Sequence, residues 1–271
     1  MKMNRNQNTF TANRGFSTEL LSFNRKMVAA SASVSHRKNI IHSLAQADVT
    51  EARRMIRAHD NSTGEKLSFT AYVVKCLAEV IADHKKLNSF IRYNRLIVLE
   101  DVNVSVLVER EFEGEKVPEP VCIRNADQKS YREISAEIRE SVSKDSGNAV
   151  RLGGLQGMGR IRFIPAFLLK SFVRMADRNI RMAKKYGKVA VTAVGMFSRE
   201  PVWFIPHGSA TVLITVGSIE KRMVTRDGIQ EEREYLCITG SFDHNIMDGA
   251  PAARFMNQLL ETLRSGISHM M

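Results

Sequence analysis

Residues 241–263 read SFDHNIMDGAPAARFMNQLLETL and place a histidine, an aspartate and a glycine between a strand-like run and an apolar helix. His244 and Asp248 stand four residues apart, and Gly249 follows the aspartate. Imidazole has an ordinary pKa near neutrality, so a histidine at a strand end is a candidate base for a thiol or hydroxyl nucleophile. Asp248 with Gly249 indicates a tight turn whose carboxylate is held by backbone donors or an arginine.

The residues of this stretch alone leave two interpretations of His244 open. It is either such a base or an ordinary histidine whose hydrogen bonds are satisfied at a turn. A metal site is the weakest interpretation, because His244 and Asp248 have ligand-like spacing but no third ligand stands nearby in the sequence. We therefore predict no metal.

Composition indicates a globular protein. The chain has 271 residues, of which 44% are hydrophobic and 25% charged, close to the globular average. The sequence contains no apolar run of membrane-spanning length and no secretory signal pattern, so we expect a cytoplasmic location with residues 1–14 as a flexible tail. Three widely separated cysteines predict buried thiols rather than a disulfide framework.

The net charge of +11 favours a polyanionic partner: nucleic acid, an anionic membrane or a phosphorylated cofactor. We find no RNA-binding, zinc-finger or helix-turn-helix pattern, so nucleic acid is not expected. Much of the charge lies in a basic helical segment at about 155–187. Its aromatic and aliphatic residues either pack this segment on the domain or leave it to dock an acidic protein or a membrane surface. These apolar residues are Ile161, Phe163, Ile164, Phe167, Leu168, Phe172 and Val173.

The periodicity of the remaining chain predicts an α+β fold. A helix at 67–84 is capped by Ser68, and Ser130 with Glu133 forms a capping box for another. Alternating β-branched residues predict strands at 95–111, 188–197, 210–219 and 235–242. No linker-like stretch interrupts the pattern, so residues 15–268 are predicted to form one two-layer domain, a mixed sheet covered by helices.

Several segments in order resemble the catalytic domains of the dihydrolipoamide acyltransferases of 2-oxoacid dehydrogenase complexes. These domains share the fold of chloramphenicol acetyltransferase. The similar segments are 22–31 (SFNRKMVAAS), 42–53 (HSLAQADVTEAR), 120–140 (PVCIRNADQKSYREISAEIRE), 191–197 (VTAVGMF), 210–219 (ATVLITVGSI) and 241–263.

The resemblance implies acyl transfer between thiols, with coenzyme A as donor or acceptor. It assigns His244 as the base that deprotonates the attacking thiol and Thr192 as the hydroxyl that binds the oxyanion from a neighbouring subunit. Asp248 would hold the loop together with Gly249. The implied partner of the Asp248 carboxylate is Arg25, with Lys26 and Arg37 as alternatives. The resemblance identifies no residues that bind coenzyme A.

The resemblance also implies a homotrimer, with assembly into larger particles left open. No lipoyl domain stands in this sequence, so we expect no covalent lipoyl group on the chain and a lipoyl or acyl carrier protein in trans, or another thioester donor. Asn245 replaces the arginine that commonly follows the family's histidine. A non-catalytic oligomeric scaffold that kept the fold is the alternative.

Overall fold

The computed structural model describes residues 11–13, 15–18, 21–112, 115–143, 165–195, 198 and 200–265. Most of the predicted tail and the first part of the basic segment lie outside the described residues. Two short strands near the start, β1 (Thr11–Asn13) and β2 (Phe16–Thr18), form an antiparallel hairpin.

A six-stranded mixed sheet forms the centre of the protein. Its strands are β3 (Ile40–Asp48), β6 (Val104–Phe112), β7 (Glu115–Ile123), β8 (Val189–Ala193), β9 (Val212–Arg226) and β10 (Ile229–Asp243). Their spatial order is β3-β10-β9-β8-β6-β7. The short strand β8 runs parallel to both of its neighbours, and all other pairs are antiparallel. The prediction of a mixed sheet is confirmed.

Seven α-helices occur in the described residues. They are α1 (Phe23–Ser35), α2 (Thr50–Thr63), α3 (Phe69–Asp83), α4 (Tyr131–Ser143), α5 (Ala166–Asp177), α6 (Ile180–Tyr186) and α7 (Gly249–Ser265). A single-turn 3₁₀ helix occupies Lys85–Leu87. The predicted cap of α3 is present, because the Ser68 hydroxyl accepts from the Ala71 amide. The predicted capping box of α4 is also present: the Ser130 amide donates to Glu133, and the Glu133 amide donates to Ser130.

The predicted strand at 95–111 is two separate strands. Its first residues form β5 (Arg95–Val98), which pairs with β4 (Ser89–Arg92) in a small hairpin, and β6 begins only at Val104. The connecting loop also contains apolar residues, because Leu99 and Val102 are buried there. Periodicity alone does not show that the chain changes direction between them.

One main hydrophobic core lies between the sheet and the helices, with α3 at its centre. Nine residues of this helix are buried, among them Tyr72, Leu77 and Ile81. The chain after β8 passes so close to β9 that a Cβ on Gly195 would lie 1.6 Å from the Gly217 carbonyl oxygen. Only glycine fits there. Within the described residues, no helix is long and apolar enough to cross a membrane.

The basic segment forms α5 and α6, and α5 packs against α1. Packing on the domain, one of the interpretations that the sequence left open, does not hold for Phe167 and Leu168, which are 69% and 49% exposed. The buried residue of α5 is Leu169, while Phe172 and Val173 are half-buried. These three residues form an apolar stripe that is wide enough to pack one face of α5. Ile161, Phe163 and Ile164 lie outside the described residues.

Candidate active site

His244 stands immediately after β10, where the sequence places it. Its backbone amide donates to the Asn39 carbonyl at 2.7 Å, which continues the pairing of β10 with the chain beside it. Its side chain is 45% exposed, and Nδ1 lies 3.6 Å from Oδ1 of Asp248. This separation is an electrostatic contact rather than a hydrogen bond. The imidazole is therefore fixed at its backbone and open to an incoming substrate.

Asp248 occupies the N-cap position of α7, because its carbonyl accepts from the Ala252 amide at 3.1 Å. Its side chain is 84% exposed. Aspartate is favoured here because helix N-termini stabilise negative charge. Gly249 opens the helix with φ outside the left-handed region, and a Cβ there would meet no atom within 4 Å. Nothing around it in this chain requires glycine.

Asp243, the residue before His244, organises the loop of residues 244–248. One carboxylate oxygen accepts from both the backbone amide and the side-chain amide of Asn245, at 3.1 and 2.8 Å. The side-chain oxygen of Asn245 in turn accepts from Asn39 at 3.1 Å. Asn245, which departs from the common family residue, thus ties both sides of His244 to the segment that precedes β3.

A chain of alternating charges connects this loop to the basic segment. Lys38 lies 3.6 Å from Asp243 and 3.8 Å from Asp177 of α5. Asp177 also accepts from the buried Lys188 at 2.8 Å. Burial lowers the pKa of Lys188, and the neighbouring Asp177 opposes that shift. The two lysines and two aspartates balance one another within the protein.

Sequence reasoning missed this charge chain. Asp177 and Lys38 are remote from each other in sequence and lie in no recognisable motif. Of the four charged residues, Asp243 alone stands beside a residue that the sequence singles out, because it directly precedes His244.

Thr192 lies in the interior of β8 and is 9% exposed. It pairs with Thr215 on β9, which pairs with Thr239 on β10. His244 is therefore two strands away and five residues further along. With strands about 4.8 Å apart and a rise of about 3.3 Å per residue, their Cα atoms are separated by about 19 Å. The two residues of one chain cannot act on the same carbonyl group.

Arg25 lies in the first turn of α1 with its side chain exposed. The amide of Arg25 donates to the Ser22 hydroxyl, which caps the helix. Its pairing with Asp248 stays a prediction.

A cleft of about 1200 Å³ lies beside the loop that carries His244. Asp243 and Asn245 form part of its wall, and α1 and α5 form two sides. The predicted alternative partner Arg37 lines this cleft, together with Lys170, Arg174 and Arg178 of the basic segment. Part of the basic segment is therefore next to the residues that flank His244.

The cysteines do not supply an obvious nucleophile. Cys76 and Cys237 are buried, and Cys122 is half-buried. Burial raises the pKa of the Cys76 thiol and raises that of Cys122 to about 11. A buried thiol of high pKa is unreactive at neutral pH. Among the described residues, no group of three or more His, Cys, Asp or Glu side chains could hold a metal ion.

Residues 17–159 and 179–271 match the family of 2-oxoacid dehydrogenase acyltransferase catalytic domains. The chain belongs to this family. The resemblance seen in the sequence and the fold expected from it are both confirmed. The match omits residues 160–178, which include most of the basic segment and all of α5.

Two curated relatives come from Bacillus subtilis. The lipoamide acyltransferase component of its branched-chain alpha-keto acid dehydrogenase complex is 25% identical over 228 residues, covering 82% of this chain and 46% of the relative. The dihydrolipoyllysine-residue acetyltransferase component of its pyruvate dehydrogenase complex is 26% identical over 253 residues, covering 90% and 49%. The chain spans about half the length of these relatives.

Solved structures show the same fold. A probable dihydrolipoamide acetyltransferase from Listeria monocytogenes superposes with a TM-score of 0.67 at 22% identity, covering 93% of this chain and 97% of that one. The Azotobacter vinelandii dihydrolipoamide acetyltransferase gives a TM-score of 0.68 at 19% identity, covering 94% of each chain.

Proposed function

We propose that the protein is a coenzyme A-dependent acyltransferase that moves an acyl group between thiols, with His244 as the general base. Family membership supports acyl transfer. The exposed imidazole at the end of β10 supports the assignment of the base. Because Nδ1 faces Asp248, Nε2 is the nitrogen left to face a substrate thiol.

His244 takes the proton from the attacking thiol, whose ordinary pKa of about 8.5 leaves little thiolate at neutral pH. The sulfur then attacks the thioester carbonyl, and the Thr192 hydroxyl donates to the resulting oxyanion. When the intermediate collapses, the C–S bond to the leaving group breaks. The imidazolium returns the proton to the departing thiolate, so that base and protein are regenerated.

The separation between Thr192 and His244 is the observation that carries this proposal. At about 19 Å between Cα atoms, the base and the oxyanion donor of one chain cannot serve one thioester. We therefore place each site between two subunits of a homotrimer, with His244 from one subunit and Thr192 from the next. A related pyruvate dehydrogenase complex forms a cubic core, and assembly of trimers into such particles belongs to the same proposal.

The Azotobacter vinelandii enzyme gives independent support for the three residues. A serine, a histidine and an asparagine of that enzyme have been investigated for their role in its catalytic mechanism. The serine and histidine are 52 residues apart, and the asparagine follows four residues later. Thr192, His244 and Asp248 have these same spacings. The residue type is the same only for the histidine, because this chain has Thr192 for the serine and Asp248 for the asparagine, so it is the spacing that supports the assignment.

The acyl donor is a lipoyl or acyl carrier protein in trans or a free thioester, and a cytoplasmic location fits either. The direct test combines purified protein, coenzyme A and a panel of acyl thioesters, with acyl-coenzyme A measured by mass spectrometry. We expect wild-type protein to form acyl-coenzyme A from at least one donor and His244→Ala to form almost none. A product rate independent of His244 would contradict the proposal.

A further inference from the structure

The cleft beside the loop that carries His244 contains cations that no acidic group neutralises. Lys170, Arg174 and Arg178 follow one another at every fourth position of α5 and its C-cap, and Arg37 lines the cleft from the end of α1. All four are exposed, and none forms an ion pair within the described part of the chain. Eight residues of helix place the three α5 cations along about 12 Å.

The two acidic residues of the cleft do not cancel this charge. Asp177 is held by Lys188 at 2.8 Å and by Lys38 at 3.8 Å. Asp243 is held by Lys38 and by Asn245. These two aspartates and two lysines neutralise one another, so the remaining four cations give the cleft a positive field.

The cleft also presents an apolar surface. Phe90, Ile91 and Phe167 contribute to its wall, and Phe167 is 69% exposed. The rings of His36 and His207 meet edge-to-face in the same cleft, with centroids 5.4 Å apart. Its size and mixed lining suit an extended small molecule rather than a folded protein surface.

The geometry points to a binding site for a polyphosphorylated ligand that carries an apolar or aromatic part. A single carboxylate would satisfy one of the four cations, whereas several phosphates on one extended molecule match a row about 12 Å long. Three of the four cations, Lys170, Arg174 and Arg178, stand on or at the end of the α5 segment that the family match omits. Most of the charge of the site thus stands on a segment that the family match omits.

Two sources could supply this chemistry. The first is coenzyme A, whose phosphates would bind the cations and place its thiol near the loop of His244. This source rests on the proposed function. A separate phosphorylated metabolite would occupy the cleft without reacting. The ligand class is the same in both cases, and competition experiments distinguish them.

Calorimetric titration with inorganic tripolyphosphate at low ionic strength tests the site without any acyl transfer. We expect wild-type protein to bind the probe and Arg174→Gln/Arg178→Gln to bind it about a hundredfold more weakly, at roughly tenfold for each charge-assisted contact. The matched control is Arg181→Gln/Lys184→Gln, two exposed α6 cations outside the cleft. Its affinity should equal that of wild type.

Equal binding by wild type and the cleft variant, or an equal loss in the control, would overturn the proposal. So would dissociation of the oligomer in the cleft variant, which would assign these arginines to a subunit contact. If coenzyme A displaces tripolyphosphate, coenzyme A is the ligand of the cleft. If it does not, the ligand is a separate phosphorylated metabolite.

The same variants separate this inference from the proposed function. If coenzyme A occupies the cleft, Arg174→Gln/Arg178→Gln raises the KM for coenzyme A more than the KM for pantetheine, which lacks phosphates. Tripolyphosphate binding without any turnover would contradict only the proposed function. Turnover without any binding of the probe would contradict only the cleft.

Discussion

The Nζ atom of Lys38 lies between two carboxylates, 3.6 Å from Asp243 and 3.8 Å from Asp177. Asp243 precedes His244, and Asp177 ends α5, so one ammonium group joins the loop that carries His244 to the basic segment. Lys38 also donates to the Ser209 carbonyl. The loop that carries His244 is therefore held partly by an element that the family match omits.

Asp177→Asn tests this connection through stability. The variant leaves Lys38 and Lys188 without their shared partner, and we expect a loss of about 3 kcal/mol in the free energy of unfolding, measured in urea. Asp227→Asn is the control, because Asp227 lies exposed at a β-turn with φ of 51°, a conformation that asparagine accepts. A loss of unfolding free energy no larger than that of Asp227→Asn would show that the charge chain contributes nothing to stability.

The loss of unfolding free energy in Asp177→Asn should depend on pH through the titration of Lys188. Burial lowers its pKa below 10.5, and Asp177 partly compensates. Without Asp177 the folded-state pKa falls further below the unfolded value. The unfolded chain then binds more protons, so stability rises with pH. We expect the difference in unfolding free energy between Asp177→Asn and wild type to narrow as pH rises toward 10.5. A constant difference would exclude Lys188 as the cause.

His244 and Asp248 should separate chemistry from stability. His244→Ala removes an exposed base, so turnover should fall about 10²–10⁴-fold while the unfolding free energy stays near that of wild type. Asp248→Ala removes a negative charge from the N-terminus of α7 and should cost about 0.5 kcal/mol of stability in addition to activity. Asp248→Asn keeps the size and the polar oxygen of the side chain and should retain more activity than Asp248→Ala. Equal activity of the two Asp248 variants would contradict a holding role for its side chain.

Thr192 should contribute its hydroxyl to the transition state. Thr192→Val keeps the shape and β-propensity of the side chain but should lower kcat about 10²–10³-fold. Thr192→Ser keeps the hydroxyl and serves as the matched control. Full turnover of Thr192→Val, with chemistry limiting the rate, would remove the oxyanion assignment.

The sequence predicted the features that depend on local pattern. The capping box at Ser130 and Glu133 and the position of His244 at the end of β10 are examples. The association of Lys38 with Asp177 could not be predicted, because tertiary contacts between remote single charges leave no periodic signal. The sequence left the exposure of Phe167 open, because an apolar residue on an amphipathic helix does not reveal how wide the buried stripe is.

Light scattering should show a stable trimer in solution. The Cα separation of about 19 Å within one chain makes each chain incomplete, so a monomer would lack a competent site. A monomeric protein that transfers acyl groups at the full rate would contradict the shared site.

Mixing two inactive variants tests the central claim most directly. Trimers assembled from equal amounts of co-refolded His244→Ala and Thr192→Val contain sites in which an intact His244 meets an intact Thr192 of the neighbouring subunit. For random assembly with cyclic symmetry, about one quarter of the sites are intact, and we predict that about one quarter of wild-type turnover returns. A mixture no more active than the two variants measured separately would contradict a site shared between subunits.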